Sequence, residues 1–285
     1  MTQIRPCIGV FDSGFGGLTV LREMMRLVPN ADYLYFGDTA RLPYGSKSAE
    51  TVSRYAVGAA HFLEQHGAEL LVIACNTASA LALDSIRAGA HVPVIGVVEP
   101  GADRGAQASN RKKVVVVATD ATVSSHAYLK ALESRGISTR EKACPLLVPL
   151  VEEGWIDHKV TEEVARIYLD EAFRDGFQTA DVLLLGCTHY PLIKPLLQRV
   201  APAHVTIVDS AESTAAVVAR QLAEAGSDPR LAQKRGEPGP PAKPGAPAEP
   251  GLKFFATDSV EKFRRLGARF LGQPIEVVEH VQLSE

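Results

Sequence analysis

Two segments of the chain carry a cysteine at the same point of the same pattern. LLVIACNTASALAL around Cys75 and VLLLGCTHYPLIKPLL around Cys187 each read as apolar strand, Cys, polar residues and helix. Thiols act as bases or nucleophiles in the thiolate form, and open α/β sheets place their binding crevices at the carboxyl ends of strands, just before a helix. A helix N-terminus there favours an anion through its free N–H groups; Asn76 or Thr77 in the first copy, and Thr188 followed by Pro191 in the second, are the expected caps and starts. From a reference pKa near 8.5, holding a thiolate at pH 7 costs about 2 kcal/mol, which such surroundings can largely offset. Two equivalent thiols facing across a crevice suit the removal of a proton from one face of a carbon and its replacement on the other, a two-base racemisation. A Cys-nucleophile amidase would need one thiol, a base and an oxyanion hole, and a non-catalytic binding module would need neither thiol.

The remaining cysteines, Cys7 and Cys144, are read as small packing residues, and no CxxC pair exists to hold zinc or form a thioredoxin motif; no metal is expected. The thiols have to be positioned by strands, and short apolar runs supply them: IGVF at 8–11, YLYF at 33–36, LLVIA at 70–74, VIGV at 94–97, VVVVA at 114–118, VLLLG at 182–186 and VTIV at 205–208. Helical patterns separate these runs, which indicates mainly parallel sheets covered on both faces. In the first helix Leu18, Leu21, Met25 and Val28 share a face, and Pro29 ends it. A second echo pairs IGVFDSGFGGLTV with VVVVATDATVSSH in the same chain order, so two similar α/β halves related by an approximate two-fold axis are expected, with the site in the cleft between them. The expected division is 1–98 with 209–285 in one domain and 99–208 in the other.

Residues 226–251 are dense in Pro, Gly and Ala and offer little apolar surface, the composition of a flexible surface insertion. Beyond them LKFFATDSVEKFRRLGARFLG reads as strand, turn and amphipathic helix, and IEVV at 275–278 as a last short strand. With 285 residues, a net charge of -3 and no basic block, the chain has the material for two domains and none for gripping nucleic acid or an anionic membrane. The opening MTQIRPCIGVFDSG lacks the features of a signal peptide and leaves little room for a regulatory segment before the first strand, and no apolar run is long enough to span a bilayer. A cytoplasmic protein is expected.

In combination, FDSGFGG at 11–17, YFGDTARLPYGSKS at 35–48, ACNTAS at 74–79, ATDATVSS at 118–125, CPLLVPLVEEG at 144–154 and GCTHYPL at 186–192 resemble the glutamate racemases of the aspartate/glutamate racemase superfamily. The resemblance covers nearly the whole chain outside 226–251. It implies two α/β domains enclosing glutamate as a small-molecule substrate, no pyridoxal phosphate or other cofactor, no metal, and D-glutamate for peptidoglycan synthesis; a homodimer is compatible with it. Aspartate or hydantoin racemisation is the alternative within the superfamily, with His189 after CT and the long PYG motif favouring glutamate.

The resemblance also implies roles. Asp12 assists the first thiol and Ser13 contacts substrate, in a Gly-rich turn, SGFGG, whose amides can approach a carboxylate but which lacks the spacing of a dinucleotide fingerprint. Tyr44 and Gly45 become substrate contacts, with backbone donors and the phenol offered to the carboxylates. Asn76, Thr77 and Thr188 bind substrate while serving the turns. His189 assists the second thiol, and Glu152 is the carboxylate near it, with Glu153 its rival on sequence alone. Thr119 and Thr122 receive no assignment, since Ala118 stands where many relatives have Gly. Replacing most of 226–251 by a shorter flexible linker is expected to leave thermal melting and turnover nearly unchanged; a large loss of either would show that the segment packs on the domain or gates the crevice.

Overall fold

The computed structural model describes residues 5–227 and 251–283. The chain runs β1 (Cys7–Asp12), α1 (Leu18–Leu27), β2 (Asp32–Gly37), α2 (Ala49–Gln65), β3 (Leu70–Ile73), α3 (Asn76–Leu81), α4 (Leu83–Gly89), β4 (Val94–Gly96) and α5 (Val98–Ala108). A second series follows: β5 (Lys113–Ala118), α6 (Asp120–Ser125), α7 (Ala127–Glu133), β6 (Ser138–Ala143), α8 (Leu147–Glu152), α9 (Lys159–Ala172), β7 (Val182–Gly186), α10 (Lys194–Val200), β8 (Thr206–Asp209) and α11 (Ser210–Ser227). The chain ends with β9 (Leu252–Ala256), α12 (Val260–Leu271) and β10 (Glu279–His280).

The strands form two sheets, ordered β10-β9-β2-β1-β3-β4 and β6-β5-β7-β8, and every recorded pairing is parallel. The sequence echoes reappear as topology: β2-β1-β3-β4 and β6-β5-β7-β8 are the same arrangement, with β1 matching β5 and β3 matching β7. Each half therefore reverses its strand order between its first and third strands. Such a switch point opens a crevice at the carboxyl ends, flanked in one half by Asp12 and Cys75 and in the other by Thr119 and Cys187.

Strand burial explains why the apolar runs were continuous rather than alternating. Val114 and Val116 pack into one cluster while Val115 and Val117 pack into another on the opposite face, all fully buried. The cluster holding Val115 and Val117 also contains Ile8, Val10 and Tyr35 of the other sheet, so one core runs through both halves.

Two local expectations are corrected, and one strand was not foreseen. The strand β6 was not legible, because STREKA is an edge strand with exposed or half-buried positions throughout and no apolar run. The last strand falls at Glu279–His280 rather than at 275–278: Ile275 drops into the core beside Gly267, and Val277 is left 78% exposed before the chain pairs with β9. On α1 the fully buried methionine is Met24, whereas Met25 and Val28 are only partly covered. The insertion expected over 226–251 begins in the last two residues of α11 and ends at Gly251, which is tied to Asp32 and Tyr33; residues 228–250 lie outside the described ones. Among the described residues no helix is long and apolar enough to cross a membrane.

The halves are also joined by polar contacts. The Tyr128 hydroxyl of α7 donates to Asn76 Oδ1 of α3 at 2.6 Å, and Thr77 shares hydrogen bonds with Thr119 and Thr122 at 3.0 and 3.2 Å. Tyr128→Phe strands the Asn76 carbonyl in a buried position, so a loss of about 1–3 kcal/mol is expected in urea unfolding. An unchanged unfolding midpoint would show that this bond contributes nothing to holding the halves together.

Candidate active site

A cavity of about 310 Å³ lies between the carboxyl ends of the two sheets. Cys75 and Cys187 line it, the one following β3 and the other following β7, and they keep 5% and 6% of their surface. Ser13 of the turn after β1, Tyr44 and Gly45 of a 3-10 turn, and Asn76 and Thr77 of α3 complete the first half's wall; Glu152, Thr188 and His189 complete the second's. Of the residues singled out from sequence, only Asp12 is absent from the lining; it is fully buried behind the turn. Thr119, unassigned from sequence, is on the wall, and Thr122 lies behind it.

The two thiols have different surroundings. Cys75 is itself the cap of α3: its Sγ accepts from Ala78 N–H at 3.4 Å, the place that sequence gave to Asn76 or Thr77. Its thiol donates to Ser13 Oγ at 3.5 Å. Burial nevertheless dominates and, with the Asp12 charge, pushes the Cys75 thiol up to about 12, against the easier ionisation expected at a helix start. Cys187 has no α-helix directly after it. A 3-10 turn, Tyr190–Ile193, precedes α10, and no side chain caps it. A charged neighbour takes the helix's place, with His189 Nδ1 3.9 Å from Cys187 Sγ and His189 Nε2 3.2 Å from Glu152 Oε1.

Burial opposes a charged His189, yet Cys187 and Glu152 outweigh it and push the imidazole up to about 10. Burial likewise resists the Glu152 anion, and His189 and Lys262 overcome it to hold that carboxyl below the usual range. Glu153 also lines the cavity, but Glu152 is the carboxylate bonded to His189. Asp12 is raised by its complete burial, against the pull of His189 and the Gly14 amide, which donates to Oδ2 at 2.8 Å. Its Oδ1 completes no hydrogen bond.

Backbone closeness accounts for the glycines. A Cβ on Gly16 would lie 2.2 Å from Thr188 Oγ1 and 2.6 Å from His189 Nδ1, and one on Gly45 would lie 2.8 Å from Thr119 Cβ. Larger residues there would push apart the segments that carry the site. The resemblance offers the Tyr44 phenol to a substrate carboxylate, and in the structure its proton is already engaged. The hydroxyl donates to the buried Asp38 carboxylate at 2.5 Å, which also accepts from Arg41 and Thr257. Gly45 of the same turn, having no side chain, lines the cavity with backbone alone.

No Lys or Arg lines the cavity. An anionic ligand would be met by amides and hydroxyls, and by Asn76 Nδ2, which is buried without a hydrogen-bond partner. Among the described residues no group of three or more His, Cys, Asp or Glu is gathered to hold a metal ion. The arrangement can do acid/base chemistry with two thiols on a small acid bound between them.

Glu152→Gln tests the charged pair. It is expected to lower the His189 pKa, with NMR titration of the imidazole as the readout. The sign for stability follows from linkage: the raised His189 stabilises fully below its ordinary 6.5 and loses that contribution as pH rises through about 10. Glu152, held down, stabilises above its ordinary 4.5 and loses its share as pH falls through the lower folded value. The stability gap between wild type and Glu152→Gln should therefore be widest between pH 4.5 and 6.5. A gap independent of pH would show that the pair is not ionised.

Residues 8–237 match the family Asp/Glu/Hydantoin racemase. A glutamate racemase of Koribacter versatilis is 62% identical, with all of both chains aligned. Among solved structures, glutamate racemase from Francisella tularensis in complex with D-glutamate is 35% identical, covers 98% of each chain and has a TM-score of 0.84. That from Thermus thermophilus in complex with β-chloro-D-alanine is 42% identical, with 98% of each chain covered and a TM-score of 0.79.

Proposed function

The chain belongs to the Asp/Glu/Hydantoin racemase family, and we propose that it interconverts L- and D-glutamate with Cys75 and Cys187 as its two acid/base groups. The observation that carries this reading is the placement of two buried thiols, from matching strands of two matching sheets, on one small cavity. Glutamate rather than aspartate or hydantoin is favoured by the full-length relative at 62% identity.

Following the family resemblance for direction, Cys187 thiolate takes the Cα proton of L-glutamate and becomes a thiol. The Cys75 thiol then gives its proton to the opposite face of the resulting carbanion and is left as thiolate. For D-glutamate the transfers run in reverse. His189, held as imidazolium by Glu152, is the counter-charge for Cys187 thiolate, while the burial that keeps Cys75 protonated suits it to act first as an acid. Asp12 lies too deep to touch substrate and acts through the turn it ties, by its bond to the Gly14 amide. The unpartnered Asn76 Nδ2, the amides of Ser13, Gly45 and Thr188, and the Thr77 hydroxyl are the groups for the substrate carboxylates.

The same reading divides the chain into 1–98 with 209–285 and 99–208, supported by sheet membership: β5 to β8 supply one sheet and the remaining strands the other. It also puts the protein in the cytoplasm and its product in peptidoglycan synthesis.

Metal-free, pyridoxal-free protein given L-glutamate and a panel of other amino acids is expected to yield D-glutamate on chiral analysis, and its absence would sink the reading. In deuterated water the label should enter Cα mainly in the product enantiomer. Cys75→Ser and Cys187→Ser should each nearly abolish racemisation, because a hydroxyl is a far poorer base at neutral pH. With an analogue bearing a leaving group at Cβ, elimination needs only one deprotonation, so each variant should retain one enantiomer, and a different one. Near wild-type racemisation by either variant would refute the thiol roles.

A further inference from the structure

We infer that Lys262, on α12, is a positioning residue for the second thiol, holding the Glu152 carboxylate against His189 and thereby the imidazolium beside Cys187. The inference rests on the two-thiol reading and adds to it a residue from outside the cavity lining. Lys262 Nζ donates to Glu152 Oε2 at 3.4 Å, while Glu152 Oε1 meets His189 Nε2 at 3.2 Å. Each carboxylate oxygen has its own partner, one outside the cavity and one inside. Without Lys262 the Glu152 carboxylate would be held on one side only, at the last residue of the short helix α8 and on the wall of the cavity, where it is free to turn away from the imidazole.

The helix that carries Lys262 is suited to bracing. Phe263, Leu266, Phe270 and Leu271 are buried, so its backbone is fixed against the six-stranded half. Phe270 sets its ring against His189 with centroids 5.2 Å apart and planes at 77°, an edge-to-face contact. Lys262 and Phe270 are roughly two helical turns apart along α12. One rigid element thus touches both the imidazole and its carboxylate. Lys262 Nζ also stands 5.6 Å from the centroid of the Phe15 ring, a cation–π contact with the Gly-rich turn. An exposed Lys–Glu pair alone would count for little. Here the carboxylate side chain is only 15% exposed and is the middle of a chain of charged groups that ends at Cys187, and such networks couple strongly.

The test uses the full chain and both enantiomers of β-chloroalanine, from which one Cα deprotonation expels chloride and leaves the enamine of pyruvate. Lys262→Met keeps the stem and removes the charge. Chloride release from the L-enantiomer, which Cys187 deprotonates, should fall about tenfold. Release from the D-enantiomer, which Cys75 deprotonates, should stay within about twofold, and Lys262→Arg should recover most of the L-side rate. Equal losses for both enantiomers would make Lys262 a general structural prop, and no loss would make it an idle surface pair; either overturns the inference. Cys187→Ser and Cys75→Ser run alongside separate the two failures. A Cys187→Ser variant that still eliminates the L-enantiomer overturns the thiol assignment itself, whereas selective thiols with a symmetric Lys262→Met overturn only the role of Lys262.

Discussion

Burial of a thiol resists its ionisation, because the thiolate gives up more hydration than the neutral group. Cys75 shows that resistance, while Cys187, just as enclosed, has different neighbours. Around Cys75 the hydrogen-bond partners are neutral dipoles, the Ala78 amide and the Ser13 hydroxyl, and they leave the thiol protonated. Around Cys187 stand charged side chains, His189 and behind it Glu152. Two matching halves of one fold have diverged at the position where their chemistry is held.

That divergence follows from what comes after each strand. After β3 the chain enters an α-helix at once, and the cysteine is its cap. After β7 a 3-10 turn intervenes, containing Pro191, and the amides that would have formed an anion-favouring helix end are not gathered at Cys187. The side chain of His189 turns back toward the sulfur instead. Asp12 extends the asymmetry: burial first and Asp12 second push the Cys75 thiol up, while the Asp12 carboxyl is itself drawn down by His189 against its burial.

Much of this was legible in the sequence for identifiable reasons. Strands buried on both faces have to be continuously apolar, so the central strands of both sheets announced themselves, and with them the switch points and both cysteines. Edge strand β6 obeys no such rule and was invisible. Pairings between side chains distant in the chain were equally hidden: nothing in PYG shows that the Tyr44 phenol is engaged by Asp38, and nothing in VEEG shows which carboxylate reaches His189. Nothing in the amphipathic pattern of 260–271 singles out Lys262. Its partner is 110 residues away, and only the packing of α12 on the six-stranded half brings them together.

The cavity's want of lysine and arginine side chains has a bearing on turnover. Mirror-image amino acids have the same free energy, so no downhill step clears the product, and each enantiomer must leave as readily as it arrived. A guanidinium clamp on a carboxylate would lengthen the residence of both alike and make escape the slow event. Apart from the His189 imidazole and the two thiols, the donors here are amides, hydroxyls and one carboxamide rather than such a clamp. A vessel lined this way favours frequent exchange with the surrounding pool over tight retention, the property required of a catalyst whose two ligands lie at the same level.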